Sequence, residues 1–168
     1  FYKALDFYNK YEYLRAEQGF LKAIELDAKF VEAHQLLATV YEETKQFEKA
    51  IEHYEQVLQI KPSFFPNNYL LVGNLSMKIG EYEKALTHYT AYSKLSAQDV
   101  SIALQQESLI SIEKAKFAIN LKDNPVPFHP INLGANINTS NSEYSPTLTA
   151  DEQTLYFTVA RPRDQYTL

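Results

Sequence analysis

The 168-residue chain is 45% hydrophobic and 14% aromatic, enough apolar material to build a core, which argues against extensive disorder. The net charge is −5, and Lys and Arg are interspersed with Asp and Glu, so a nucleic-acid-binding surface is not expected. The absence of cysteine excludes disulfides and thiol catalysis. No apolar run approaches the roughly 20 residues that a membrane-spanning helix requires.

The first residues read as the interior of a helix without a cap before it. Residues 1–5 have neither the basic start nor the small-residue cleavage site of a signal peptide. We therefore expect a fragment of a longer chain, with any targeting segment upstream.

A repeat runs through the first part of the chain. Ala16, Ala50 and Ala85 are spaced 34 and 35 residues apart, and an aromatic residue follows each alanine four positions later. Similar turn sequences precede the alanines at 10–13 and 45–49. Such a period is typical of stacked helix–turn–helix units.

The middle unit resembles the tetratricopeptide repeat. It matches that family at His34, where Trp is usual, and at Leu37, Ala38, Tyr41, Ala50, Tyr54 and Pro62. The third unit matches less fully, at Tyr69, Val72, Gly73, Ala85 and Tyr89, with Ser76 and Ala97 departing from the pattern. The first unit retains Ala4, Phe7, Ala16, Phe20 and Ala23. The resemblance implies a mainly α protein, a right-handed superhelix of three helix pairs over about residues 1–97, with one extra residue near 64–66.

Small residues explain how the paired helices would cross. Two antiparallel helices approach closely only where a side chain is small. We expect Ala38 or Gly73 to face Ala50 or Ala85, while aromatic side chains fill the flanking space.

Two helix starts are predicted from local signals. Ser63 can cap the first helix of the third unit, and Pro66 is tolerated in its first turn. The segment 96–99 resembles a capping box and predicts one long helix over 100–121 that caps the stack. The predicted domains are a repeat domain with its capping helix at 1–121, a Pro-rich linker at 122–130, and a β segment at 131–168.

The last segment predicts a β-hairpin. An alternating run of β-formers at 154–160 follows 144–149 and a turn at 150–153. The quoted stretches resemble the beginning of the Tol-type β-propeller that follows tetratricopeptide repeats in OmpA-family envelope proteins of Bacteroidetes: Phe117-Ala118-Ile119, Pro125-Val126-Pro127-Phe128, Ile131-Asn132-Leu133-Gly134, Ile137-Asn138, Glu143-Tyr144, Pro146-Thr147-Leu148-Thr149-Ala150-Asp151 and Leu155-Tyr156-Phe157-Thr158. Glu152 stands where that family usually has Gly in the turn. The resemblance implies a periplasmic, outer-membrane-associated protein that continues to a peptidoglycan-binding domain, and one PorE-like branch serves type IX secretion.

No catalytic, metal or cofactor site is predicted. The four histidines, His34, His53, His88 and His129, lack the spacing that places two imidazoles on one metal, and His34 is expected to replace the packing Trp. The carboxylates fall on polar helix faces instead of converging in a pocket. We expect the tyrosines to occupy mostly core positions of the repeats.

A partner-binding groove is the one positive site hypothesis. In tetratricopeptide stacks the first helix of each unit lines a concave groove, and the resemblance carries this role to Gln35, Thr39, Glu42, Glu43, Asn67, Leu70, Asn74, Met77 and Lys78, with Leu5, Tyr8, Asn9 and Glu32 beside them. A clamp for a terminal carboxylate is disfavoured because Gln35 and Leu70 stand where a lysine is expected. The polar residues beside Leu70 and Met77 favour a helix or an extended peptide with a few apolar anchors.

Three functions remain open from the sequence. The leading hypothesis is a non-enzymatic scaffold that recruits a protein partner as one module of an envelope protein. The alternative is a stand-alone cytoplasmic adaptor that binds a peptide in its groove, with a docking or disordered tail. The third is a fragment of an enzyme whose catalytic domain lies elsewhere, for which no residue in the chain argues.

Overall fold

The computed structural model consists of two compact units, Phe1–Pro125 and Val126–Leu168, which we describe separately. The residues whose structure is described are 1–96, 98, 100–127, 129, 131–135, 137–151 and 153–160.

The first unit is helical, and its elements follow the predicted repeat. Its helices are α1 (Tyr2–Asn9), α2 (Tyr13–Leu26), α3 (Val31–Glu43), α4 (Phe47–Ile60), α5 (Asn68–Ile79), α6 (Tyr82–Ser93) and α7 (Ile102–Asp123). Each helix packs mainly against the next one in the chain. The described residues therefore form three helix pairs and a final helix, as the sequence predicted. The connection from α4 to α5 is longer than that from α2 to α3, so the extra residue lies in the predicted region.

One turn geometry closes the first helix of every pair. Tyr11, Lys45 and Gly80 have φ values of 60°, 60° and 82°, in the left-handed region. The amide after each of them donates back to a carbonyl in the last helical turn, at distances of 2.9, 2.8 and 2.8 Å. This is the Schellman arrangement, which satisfies carbonyls that a helix end otherwise leaves without a donor. Of these three residues, only Gly80 is of a type from which the sequence predicts a positive φ.

The core forms along the seam between paired helices. The repeated aromatics Phe20, Tyr54 and Tyr89 are all buried, as are Leu37 and Val72 from the facing helices. Apolar residues recur every three to four positions on each helix, so one face of the helix turns inward. Burial of this face supplies the main stabilisation of the stack.

Glycine allows two of the pairs to approach closely. A Cβ placed on Gly19 would lie 2.5 Å from the Cβ of Ala4, so this glycine permits α1 and α2 to touch. A Cβ on Gly73 would lie 2.5 Å from the ring of Tyr89. The ring of Tyr89, one helical turn after Ala85, fills the space beside Gly73, while the approach of Gly73 to Ala85 itself stays a prediction.

Both predicted helix starts are wrong. α5 begins at Asn68 with Asn67 at its N-cap, so Ser63 does not cap it and Pro66 lies before its first turn. The amides of residues 68 to 71 are satisfied by the carbonyls of residues 65 to 67 instead. A good capping side chain does not fix a helix start when the preceding turn already supplies acceptors.

The last helix also begins later than predicted. α7 starts at Ile102, after Ser101, and the hydroxyl of Ser96 accepts the amide of Gln98 in a separate turn. The predicted capping box at 96–99 is therefore not the start of α7, and two of its residues lie outside the described ones. At its other end α7 runs to Asp123, two residues into the predicted linker.

The second unit contains the predicted hairpin. β1 (Ser142–Leu148) pairs antiparallel with β2 (Leu155–Ala160). A bulge separates Tyr144 from Thr147, where Ser145 has a φ of 56° and Pro146 has no amide to donate. A propeller blade needs four strands, and the described residues supply two. Glu152 and residues 161–168, which belong to the propeller prediction, lie outside the described part of the chain.

Replacing Gly19 by Ala should destabilise the stack. The added methyl would meet Ala4 at 2.5 Å, and overpacking typically costs about 1–3 kcal/mol, which outweighs the roughly 1 kcal/mol that Ala gains over Gly in helix propensity. Thermal melting of Gly19→Ala and of the exposed neighbour Gln18→Ala measures the difference. The double variant Ala4→Gly/Gly19→Ala should regain stability relative to Gly19→Ala. A Gly19→Ala protein as stable as the wild type would contradict the proposed contact.

Candidate functional site

The predicted groove residues of α3 are tied to the second helix of their own pair. The hydroxyl of Tyr54 donates to a carboxylate oxygen of Glu42 at 2.9 Å and lies 3.4 Å from the hydroxyl of Thr39. Thr39 in turn donates to the carbonyl of Gln35 at 3.0 Å. Burial and the nearby Glu42 raise the pKa of Tyr54, since both disfavour a phenolate. Part of this polar face is therefore satisfied internally.

The same arrangement recurs on α5. Tyr89 donates to the side-chain oxygen of Asn74 at 2.6 Å, and Tyr92 donates to that of Asn67 at 3.0 Å. Leu70 and Met77 pack against the buried cluster that contains Tyr89. The amide donors of Asn74 remain on an exposed residue, and that group can bond to a ligand.

The remaining predicted groove residues differ in the contacts that they make within the protein. Gln35 accepts a hydrogen bond of 2.6 Å from Asn68, whose side chain is buried, so it joins α3 to α5. The ammonium of Lys78 lies 4.2 Å from the centroid of the Phe47 ring. Glu43 is exposed, and no ion pair of the described residues includes it.

The final helix adds residues to the site that the sequence did not indicate. A cavity of about 240 Å³ is lined by Asn74, Met77, Tyr89, Glu107, Ser111 and Lys114. Glu107, Ser111 and Lys114 were missed because α7 was predicted only to cap the stack. Their spacing of four and three residues places them on one helix face, which is the signal that could have found them. The cavity brings together an ammonium, a carboxylate, a hydroxyl and a carboxamide beside an apolar methionine.

The tyrosines do not occupy mostly core positions. Of the 13 tyrosines, the described buried ones are Tyr41, Tyr54, Tyr89 and Tyr92. Tyr41 donates to Glu17 of α2 at 3.0 Å, and burial together with that carboxylate raises its pKa to about 12. Others, including Tyr8, Tyr11 and Tyr13, lie at least partly at the surface. The repeat positions Tyr41, Tyr54 and Tyr89 are buried as predicted, and Tyr92 is buried too, but the other described tyrosines are not fully buried.

His34 and His53 form a buried contact. Their Nδ1 atoms are 2.9 Å apart, and Nε2 of His34 lies 3.2 Å from the carbonyl oxygen of Ala28. Because a carbonyl only accepts, His34 carries its proton on Nε2, and its Nδ1 accepts from Nδ1–H of a neutral His53. His34 is buried among its neighbours, in keeping with the packing role that the sequence predicted.

Metal ligation is not indicated by the described residues. Nε2 of His88 lies 2.9 Å from Glu55 and joins α6 to α4. Across the described part of the chain, no group of three or more His, Asp or Glu could hold a metal ion. No helix among these residues is long and apolar enough to cross a membrane.

The Tetratricopeptide repeat family matches residues 31–64, which are the middle unit of the stack. Among curated proteins, none matches the chain significantly. Similarity to solved structures, in contrast, extends across most of the helical unit, as three examples show.

The first example is the TPR2B domain of yeast Sti1 in its pHsp70 complex, at 16% identity and a TM-score of 0.52, covering 68% of this chain and 90% of that one. The second is the first TPR of Spaghetti (RPAP3) bound to the HSP90 peptide SRMEEVD, at 17% identity and a TM-score of 0.54, covering 70% and 88%. The third is the type III secretion translocator chaperone SycD of Yersinia enterocolitica, at 18% identity and a TM-score of 0.58, covering 70% and 81%.

Lowering the pH should destabilise the stack through His53. Burial and the neighbouring His34 hold the pKa of His53 below its ordinary value of 6.5. As pH falls through that value the unfolded chain gains a proton that the folded chain does not, so the free energy of unfolding decreases until the folded pKa is reached. Denaturant unfolding between about pH 7 and 5.5 measures this loss, which avoids most carboxylate titration.

Two variants complete the pH experiment. His53→Gln should flatten the pH dependence, while His129→Gln, an exposed position in the second unit, should leave it unchanged. An equally steep dependence in His53→Gln would show that other groups cause it.

The repeat match and the fold similarity lead to one conclusion: residues 31–64 match the tetratricopeptide repeat, and the helical unit has the fold of domains built from such repeats.

Proposed function

We propose that the helical unit is a non-enzymatic scaffold that binds a segment of a partner protein along the face formed by α1, α3, α5 and α7. The observation that carries this proposal is the cavity of about 240 Å³ between α5 and α7. It presents hydrogen-bond donors and acceptors beside an apolar side chain, the combination that a peptide with one anchoring residue needs.

The fold relatives support this function by analogy. The Sti1 domain is in a complex with pHsp70, and the first TPR of RPAP3 is bound to an HSP90 peptide that contains two glutamates and a terminal aspartate. Fold alone does not transfer a ligand, so the partner must be inferred from this chain's own residues. Here Glu42, Glu43 and Glu107 contribute carboxylates to the face, and Gln35 and Leu70 stand where a carboxylate clamp would need lysine. An acidic C-terminus is therefore a poor match for this surface.

Binding can be tested with peptides selected from a display library against the whole chain. Glu107→Ala/Lys114→Ala removes two exposed groups that line the cavity. Selected peptides that use the cavity should lose affinity by about tenfold or more, as expected when contacts worth about 1 kcal/mol each are removed. Isothermal titration calorimetry measures the change.

A matched control lies on the same helix. Glu113 and Lys116 form an exposed ion pair of 2.8 Å and do not line the cavity. Glu113→Ala/Lys116→Ala should leave peptide affinity unchanged. If both double variants bind every selected peptide as tightly as the wild type, the cavity is not the binding site.

The cellular setting is a finer part of the proposal. The resemblance of the segment after α7 to Tol-type propeller proteins favours a periplasmic module of an outer-membrane- or peptidoglycan-associated protein, with secretion components, including those of type IX secretion, among its partners. The alternative is a cytoplasmic adaptor. Fractionation of cells that express the epitope-tagged parent protein separates the two. Recovery with the outer membrane and peptidoglycan supports the first, whereas recovery in the cytosol favours the second.

A further inference from the structure

Three tyrosine rings meet at the turn that joins α1 to α2. The ring centroids of Tyr8 and Tyr13 are 6.2 Å apart at 51°, and those of Tyr11 and Tyr13 are 6.2 Å apart at 89°. The first pair is tilted and the second is T-shaped, arrangements that aromatic rings prefer to face-to-face stacking. We call these three residues the tyrosine cluster. A cavity of about 560 Å³ beside it is lined by Tyr11, Glu12, Tyr13, Leu14, Arg15 and Thr44.

Burial accounts for only part of this cluster, because Tyr8 and Tyr13 pack against the hydrophobic core and Tyr11 does not. Tyr11 is 78% exposed, and its φ of 60° is one that glycine adopts freely and other residues adopt at a cost. Neither packing nor backbone geometry requires an aromatic residue at this turn. Exposed aromatic side chains that are not needed for folding are frequent at recognition surfaces.

The end of α3 lies beside the tyrosine cluster, since Thr44, which directly follows Glu42 and Glu43, lines the same cavity as Tyr11 and Tyr13. The pKa of Tyr8 is raised by burial, then by Glu43, and more weakly by Glu42, and the pKa of Tyr13 is likewise raised by burial and by Glu43. Glu42 also accepts the Tyr54 hydroxyl at 2.9 Å. The tyrosine rings and the two carboxylates therefore share one region of negative potential.

Neighbouring cations of α1 and α2 are already paired. Lys10 bonds to Asp6 at 2.8 Å, and Arg15 bonds to Glu12 at 2.7 Å. The ion pairs of the described residues include neither Glu42 nor Glu43.

We infer that the tyrosine cluster, with Glu42 and Glu43, binds a basic side chain, lysine or arginine, of the partner segment. Aromatic faces attract a cation through their quadrupole, and the carboxylates add direct Coulomb attraction. The inference rests on the proposed function, because Tyr8, Glu42 and Glu43 lie on α1 and α3 of that face, with Tyr11 in the adjoining turn and Tyr13 at the start of α2. It specifies the charge of the partner. The two carboxylates would repel an acidic segment at the same place.

The site can be tested with a small probe and the whole chain. N-acetylargininamide is titrated at constant ionic strength and followed by two-dimensional NMR, with N-acetylcitrullinamide as a neutral probe of nearly the same shape. The arginine derivative should shift resonances of Tyr8, Tyr11, Tyr13 and Glu43 in a saturable way. The citrulline derivative should bind more weakly by about fivefold or more, the fold-change expected for roughly 1 kcal/mol of cation attraction.

Variants separate cation recognition from folding. Glu43→Gln should weaken arginine binding by about fivefold, since it removes one exposed charge of roughly 1 kcal/mol. Tyr11→Gly should weaken binding while its melting temperature stays equal or rises, because glycine favours the positive φ. Tyr13→Phe should retain binding and Tyr13→Leu should lose it, since the leucine keeps an apolar group without the aromatic face. Tyr2→Leu, an exposed tyrosine outside the cluster, is the control.

Two results would overturn the inference. The first is equal binding of the arginine and citrulline probes, and the second is unchanged arginine affinity in both Glu43→Gln and Tyr11→Gly. Neither result bears on the cavity between α5 and α7, which the Glu107→Ala/Lys114→Ala variant tests with selected peptides. Failure of this site is therefore distinguishable from failure of the proposed function.

Discussion

In two of the three helix pairs, the helices cross where a glycine leaves room for the facing side chain. At Gly19 the space is taken by Ala4, and at Gly73 it is taken by the ring of Tyr89, each within 2.5 Å of where a Cβ would stand. Such packing leaves no free space for a larger side chain, because protein interiors are as dense as organic crystals. The ring of Tyr89 is thereby fixed in place, and its hydroxyl reaches Asn74 on the polar face. Core packing and the chemistry of the candidate site depend on the same contact.

The three units differ in whether the repeated aromatic residue carries a hydroxyl group. Tyr54 and Tyr89 carry hydroxyls that bond to the first helix of their pair, whereas Phe20, at the equivalent place in the first unit, has none. In the second and third units part of the polar face is thus satisfied internally, which reduces its capacity to bind a ligand. The groups left available include Glu43, the amide donors of Asn74 and the residues that α7 adds. This distribution explains why the two candidate subsites lie towards opposite ends of the face.

The turns that join the pairs also shape the surface. The Schellman geometry requires a residue with positive φ, and the chain places Tyr11, Lys45 and Gly80 there. Glycine is the favourable choice on backbone grounds, so a tyrosine at position 11 places an exposed aromatic ring at the α1–α2 turn at some cost in stability. Tyr11 therefore belongs both to the tight turn and to the proposed cation site.

Helix ends illustrate how local signals compete with packing. Ser63 and Ser96 are good capping residues, yet α5 and α7 begin elsewhere. Asn68, the first residue of α5, is buried and donates to Gln35 of α3, a contact across 33 residues of sequence. A capping bond contributes about 1 kcal/mol, so a buried interhelical bond and apolar burial readily outweigh it.

The sequence by itself determined the number of units and the hairpin, because the period of Ala16, Ala50 and Ala85 and the alternation in 154–160 are direct records of which side chains turn inward. It also indicated the helix faces that carry Glu42, Asn74 and Met77. Only the tertiary structure decided which side chains contact one another. Tyr54 bonds to Glu42, His34 bonds to His53, and residues of α5 and α7 line one cavity. Such contacts join residues on different helices, and their geometry depends on how the helices pack, which no local pattern encodes.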